Sequence, residues 1–290
     1  MNSRRIFLKH AGLAAAGAMA IPNFACTPAT AKAVGLQLYT LREEISKDVK
    51  GVIAQVAKAG YKEVETYGYS LKDGYWGLNS KDFKALLDSN NLKSPSGHFG
   101  LDDFIKNGNT ELLKPLIEGA AAIGMSYFTC PWLDPALRTT ADDFKKTSAR
   151  LNEAADLCQK SGLTLAYHNH DFEFTKFGDT NGYEIMLQET DKKLVQFEMD
   201  LYWVVRSGND PLSLFAKYPG RFPMWHVKDM DKTDNSINTE VGTGTIDFKA
   251  IHKEAKKAGL KHLIVEQENF SKDPFVSIKQ SFDYVNRELI

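Results

Sequence analysis

The chain is short of cysteine, carries no excess of basic charge, and lacks an apolar run long enough to span a bilayer comfortably. Three cysteines in 290 residues exclude a scaffold built on disulfides. Cys26 falls in an N-terminal stretch of distinct composition, and Cys130 and Cys158 read as separate buried thiols rather than a bridge. Lys and Arg total 36 against 37 Asp and Glu, a formal charge of −1. That balance offers no electrostatic footprint for nucleic acid or for an anionic membrane. A glycine-rich phosphate turn is also missing. The first strand signal, Val34 to Tyr39, runs into Thr40-Leu41-Arg42. A doubly wound dinucleotide-binding sheet would need glycines there. Gly242-Thr243-Gly244 comes late and lacks a third glycine, so it reads as a loop.

Residues 1–31 read as an address rather than as structure. Ser3-Arg4-Arg5-Ile6-Phe7-Leu8-Lys9 closely matches the twin-arginine export pattern, and a small-residue apolar stretch, Ala11 to Ile21, follows it. Ala29-Thr30-Ala31 supplies a small-x-small cleavage site that leaves Lys32 first. Lipidation at Cys26 competes with cleavage, although Asn23-Phe24-Ala25 makes a poor lipobox. Without Arg4, Arg5 and Lys9 the remainder holds 33 basic against 37 acidic residues, a net charge of −4. The expectation is a periplasmic protein whose mature part, residues 32–290, is a single domain with no transmembrane segment. Its oligomeric state stays open.

From Val34 onward, apolar strands alternate with helical periodicity. Strand signals fall at Val34–Tyr39, Glu63–Tyr67, Ser94–Phe99, Tyr127–Pro131, Gly162–Ala166, Leu194–Asp200, Phe222–Lys228 and His262–Glu266. Helical stretches lie between them and several stop at glycine, as at Gly60, Gly124 and Gly259. Eight β-α units over about 255 residues predict an α/β fold of the (β/α)8 barrel type.

Active-site groups of such a barrel sit at the C-terminal ends of its strands. Those ends are unusually ionisable here. Strand two ends in Glu63 and Glu65, strand three in His98, and strand five leads into His168 and His170. Strand six ends in Glu198 and Asp200, strand seven in His226, Lys228 and Asp229, and strand eight in Glu266 and Glu268. Burying so many such groups unpaired would cost several kcal/mol each. Mutual compensation around a cation, with spare groups for proton transfer, is the simplest account. Residues two apart on a strand share a face, so His168 and His170 point the same way. Glu65 and His98 suit substrate hydroxyls as well as catalysis. Trp203, Trp76 and Trp132 follow strands and could stack on a sugar face, although a loop Trp is about as often plain packing. Glu173 and Asp171 lie past the strand and read as solvated.

At these residues the sequence resembles the xylose isomerase-like TIM barrels, the sugar phosphate isomerases/epimerases. The matching stretches are Gly35-Leu36-Gln37-Leu38-Tyr39, Asp200, His226-Val227-Lys228-Asp229, Gly242-Thr243-Gly244-Thr245-Ile246-Asp247-Phe248 and Val265-Glu266. The resemblance implies one divalent metal held by Glu, Asp, His and Glu from strands five to eight. Asp200, His226 and Glu266 match three of those positions, and His168 stands at the fourth in place of glutamate. An extra nitrogen donor favours Mn, Zn or Fe over Mg. The resemblance also implies proton abstraction next to a sugar carbonyl through an enediolate, with His170 as preferred base and Glu65 or Lys228 as partner. His98, Trp203, Asp229 and Glu268 are expected on the carbohydrate substrate. An exported enzyme has little access to sugar phosphates, so an unphosphorylated substrate is expected. The first alternative is a lyase or hydratase acting on a 3-keto-glycoside or its glycal product. The second is a non-catalytic periplasmic carbohydrate-binding protein. A nuclease on the same barrel would need a basic face, which the charge denies.

Overall fold

The structure, a computed structural model, describes residues 33–290. The twin-arginine motif, the cleavage site and Cys26 lie outside the described residues. Among the described residues no helix is long and apolar enough to cross a membrane.

Eight parallel strands close into a barrel: β1 Val34–Gln37, β2 Glu63–Thr66, β3 Lys93–His98, β4 Tyr127–Cys130, β5 Thr164–His168, β6 Val195–Asp200, β7 Met224–Val227 and β8 His262–Val265. Each pairs with its neighbours in sequence, and β8 closes on β1 through Val34↔Leu263 and Leu36↔Val265. The expected barrel is therefore present; most strands are shorter than their apolar runs, while β5 starts two residues later than expected and runs on to His168.

An outer ring of helices covers the strands: α1 Val49–Ala59, α2 Ser80–Ser89, α3 Leu113–Ala122, α4 Ala141–Lys160, α5 Gly182–Glu189, α6 Pro211–Lys217, α7 Phe248–His252 and α8 Pro274–Glu288. Their ends are set locally. Thr140 and Asp143 form a reciprocal capping box at the start of α4. Gly60 ends α1 at φ 116, a conformation that favours glycine, and a Cβ there would meet the Phe282 ring. Two short hairpins were not expected from the periodicity: Lys176–Phe177 with Thr180–Asn181, and Asp229–Met230 with Asn238–Thr239.

Inside the barrel, side chains are layered. At the N-terminal end His262 meets Glu63 at 2.8 Å. Glu63 opens β2 rather than ending it, so it belongs to this floor and not to the rim. Tyr127, Ala166, Met224 and Ile264 form an apolar plug. Beyond the plug the polar groups gather.

Candidate active site

β5 and β6 end in His168 and Asp200, His226 precedes the last residue of β7, and Glu266 follows β8. The parallel register sets Asp200 beside His226 and Glu198 beside His168. Above them opens a cavity of about 600 Å³. Tyr39, Tyr67, Trp132 and Trp203 contribute its aromatic lining, and His98, His168, His170, Glu266 and Glu268 its ionisable groups. Neither Lys nor Arg is among the described residues that line it.

His226 divides the polar groups into two sets. Its Nδ1 lies 3.2 Å from Glu266 Oε2 and 3.9 Å from Asp200 Oδ2. Its Nε2 lies 2.6 Å from Glu65 Oε2 and 3.3 Å from Glu198 Oε2. Glu198 also meets His98 at 2.8 Å and His168 Nδ1 at 3.2 Å. Burial opposes charge throughout, and the neighbours decide the outcome. Against burial, the Glu65 and Glu198 carboxylates raise His98 to about 9. Against burial again, His98 and His226 hold Glu65 well below the usual carboxylate range. Burial and the Glu65 charge push Glu198 up. Asp200 is pushed up by burial, which Lys228 and His226 only partly offset.

Asp200, His226 and Glu266 bring one ligand atom each within 4.8 Å of one another. Asp200 Oδ2 is buried without a hydrogen-bond partner. A buried orphan carboxylate oxygen beside an imidazole and a second carboxylate is the donor chemistry of a divalent cation, so these residues fit one. His168 groups instead with His98, Glu198 and His226, again within 4.8 Å, and its Nδ1 is the nitrogen tied to Glu198.

The other expected site residues fall in several places. His170 lines the cavity and its Nδ1 is buried without a partner. Burial and the nearby Lys228 charge push it down to about 3, away from the near-neutral value expected of a general base. Lys228 is fully buried and paired with Glu266 at 3.1 Å and with Glu268, so it stays charged rather than serving as a base. Glu65 lies beneath the cavity rather than on it, hydrogen-bonded to Gln37 and His226. Asp229, expected on the substrate, is instead a loop anchor. Its carboxylate accepts the backbone N–H groups of Met230, Gly242, Gly244 and Ile246. His98, Trp203 and Glu268 do border the cavity. Of the remaining tryptophans, Trp132 lines the cavity and Trp76 packs against Tyr67 and Phe83. Glu173 is buried, not solvated: it holds the Tyr167 hydroxyl and the His170 amide, and burial raises it to about 8.

Four contributors had no role from sequence. Glu198 is the hub of the histidines, and its spacing from Asp200 already put it on the same face. Gln37 ends β1 and Tyr39 lies in the 3-10 turn that follows it. Nothing in the sequence marked Tyr67.

A closed parallel barrel with buried carboxylates and imidazoles under an aromatic mouth defines the class of barrel enzymes. Residues 53–287 match the family described as xylose isomerase-like TIM barrel, and the chain belongs to it. An inosose dehydratase of Lacticaseibacillus casei is 24% identical over 273 residues, covering 80% of this chain and 87% of the relative. The crystal structure of a sugar phosphate isomerase/epimerase from Parabacteroides distasonis is 30% identical, covers 89% of this chain and 94% of its own, and superposes with a TM-score of 0.77. A structure of IolI protein with a bound zinc atom is similar in fold, at 15% identity and a TM-score of 0.68, over 89% of this chain and 98% of its own. With a dehydratase and an isomerase/epimerase among its relatives, the chain is a sugar-modifying enzyme of this family.

Proposed function

We propose that the protein is a metal-dependent enzyme acting on an unphosphorylated keto-sugar or keto-glycoside. It removes a proton next to the carbonyl and expels the oxygen substituent one carbon further on, or adds it back in reverse. The observation that carries this reading is the Asp200–His226–Glu266 set at a cavity walled by aromatics, with Arg42, Arg138 and Arg206 stacked on Tyr39, Trp132 and Trp203 around it rather than lining it. A phosphate would call for a basic group or a helix N-terminus there. Held by Asp200, His226 and Glu266, a divalent ion would supply Lewis acidity to a carbonyl oxygen.

The rest of the chemistry falls to the chain itself. Trp203 and Trp132 offer ring faces to the sugar, with Tyr39 and Tyr67 closing the mouth. His170 lines the cavity and is neutral across the physiological range, so its imidazole can take the α-proton. The imidazolium so formed is a strong acid in this setting and hands the proton to the departing oxygen. The C–H electron pair becomes the C=C bond, and the C–O pair leaves with the proton as water or alcohol. One residue can serve both halves.

Epimerisation needs proton transfer on two faces. The strand-five position that the resemblance gives to a second carboxylate holds His168, whose Nδ1 is tied to Glu198. That asymmetry favours elimination. Epimerisation stays the second reading because the relative of known structure carries that name. Membership of an enzyme family leaves the binding-protein alternative without support.

The test is NMR in D2O with Mn²⁺ or Zn²⁺ and a panel of 3-keto-glucosides, keto-cyclitols and free ketoses. Elimination releases the leaving group and gives an unsaturated ketone. Epimerisation returns deuterium with inverted configuration. No exchange and no product with any of them would sink both readings. Export by a twin-arginine leader belongs to the same proposal, and cell fractionation of the full-length protein tests it.

A further inference from the structure

On the metal-dependent function proposed above, we infer that Gln37, Glu65, His98 and Glu198 form a positioning layer that fixes the tautomers of His226 and His168 and turns the His226 Nδ1 lone pair toward the cation. None of the four is a ligand in this assignment.

The distances separate the two sides of His226. Two donors on one tetrahedral ion, with bonds of about 2.0–2.1 Å, stand about 3.3 Å apart. On the Nδ1 side the spacings are 3.2 Å to Glu266 and 3.9 Å to Asp200, and Asp200 Oδ2 has no partner. These are ligand spacings. On the Nε2 side Glu198 also stands at 3.3 Å, but Glu65 is nearer, at 2.6 Å. That is too close for two ligands of one ion and right for a charge-assisted N–H···O bond. The same holds for His98 Nε2 on Glu198 at 2.8 Å and for the Gln37 amide on Glu65 at 2.7 Å.

The layer runs across four strands, β1, β2, β3 and β6. Gln37 Oε1 accepts the Tyr39 amide at 3.0 Å, which orients its NH2 group toward Glu65. Glu65 accepts the His226 Nε2–H and leaves the Nδ1 lone pair toward Asp200 and Glu266. Glu198 accepts the His168 Nδ1–H at 3.2 Å and leaves Nε2 unprotonated. His98 lies within reach of both carboxylates, 2.8 Å from Glu198 and 3.2 Å from Glu65, and fixes their separation. Carboxylate partners of ligand histidines act this way, and losing one costs 10- to 100-fold in metal affinity.

Two measurements test this on the full-length protein. Nitrogen-15 NMR of the Zn²⁺-loaded wild type should show His226 protonated on Nε2 and His168 on Nδ1. The opposite tautomer at His226 would overturn the assignment, and no variant has to fold for that. Titration with Zn²⁺ against a chromophoric chelator should give one equivalent per chain. Affinity should fall 10- to 100-fold in Glu65→Gln and Glu198→Gln with the stoichiometry kept. Unchanged affinity in both variants would overturn it. So would two equivalents in the wild type with one lost in Glu198→Gln, because the histidine cluster would then bind its own cation. Absence of any Zn²⁺ binding would instead count against the metal-dependent function.

Discussion

Glu173 Oε2 accepts the backbone N–H of His170 at 2.9 Å while its other oxygen meets the Tyr167 hydroxyl at 2.7 Å, with Glu173 and Tyr167 both fully buried. Burial raises this carboxyl to about 8, against an ordinary value near 4.5. The native state therefore holds its proton more tightly than the unfolded chain. Its contribution is complete below about pH 4.5 and is lost as pH rises through about 8. Since a unit is worth about 1.4 kcal/mol, the loss is on the order of a few kcal/mol. Glu173→Gln keeps the shape and cannot ionise. Urea titrations between pH 5 and 9 should show a smaller alkaline loss in the variant; equal slopes would refute the assignment.

The barrel was legible because its signals are local: apolar runs of strand length alternate with helical periodicity eight times, and several helices stop at glycine. The rim was legible because polar residues end otherwise apolar strands. Depth was not. Glu63 and Glu65 share a face, yet one pairs with His262 at the floor and the other with His226 under the cavity. Strand alternation assigns a face but not a level. Nor does it show whether a polar group meets substrate or backbone. Asp229 looked like a rim ligand because its four amide partners come from its own next residue and from a loop 13 to 17 residues on. Glu173 looked solvated because the short turn that buries it has no apolar pattern.

Asp229→Ala should act on stability rather than chemistry. It leaves four backbone N–H groups without their acceptor, the Ile246 one buried and the other three partly so. Each unsatisfied buried donor costs about 1–3 kcal/mol, although water entering the loop would recover part of it. A loss of roughly 2–4 kcal/mol in denaturant unfolding is expected. A loss below about 0.5 kcal/mol, the range of an ordinary surface change, would contradict the anchoring role.

Trp132 is 42% exposed, and the Arg138 guanidinium lies 4.5 Å from its ring. Removing it should spare the fold. If its free face carries the sugar, Trp132→Ala gives up an aromatic contact of about 0.5–1.5 kcal/mol, or roughly 2- to 12-fold in KM. kcat should change less than KM. Steady-state kinetics on the best substrate decides this, and an unchanged KM removes Trp132 from the binding surface.

Asp200 should couple metal to stability. A ligand that binds only the native state adds about 2.7 kcal/mol at 100 times its Kd. Saturating Mn²⁺ or Zn²⁺ should therefore raise the wild-type Tm, and EDTA should reverse the rise. In Asp200→Ala the metal-dependent increment should vanish. Calorimetry with and without metal provides the check, and an equal increment in the variant would place the cation elsewhere.

His170 carries the proposed proton transfer, so His170→Gln should lower kcat by about 10²- to 10⁴-fold. Metal affinity should hold, since the imidazole belongs to neither cation-binding set. The pH behaviour gives a second readout. Burial and Lys228 depress His170 to about 3, below its ordinary value near 6.5. The unfolded chain then binds the proton more readily. Its stability contribution is complete above about pH 6.5 and is lost as pH falls toward 3. The variant should accordingly lose less stability on acidification. For the same reason the acid limb of kcat should not fall near pH 6.5, where an exposed histidine would titrate. A limb centred there that disappears in His170→Gln would mean that the ring works near neutrality, and single-residue proton return through a strong imidazolium acid would have to be given up.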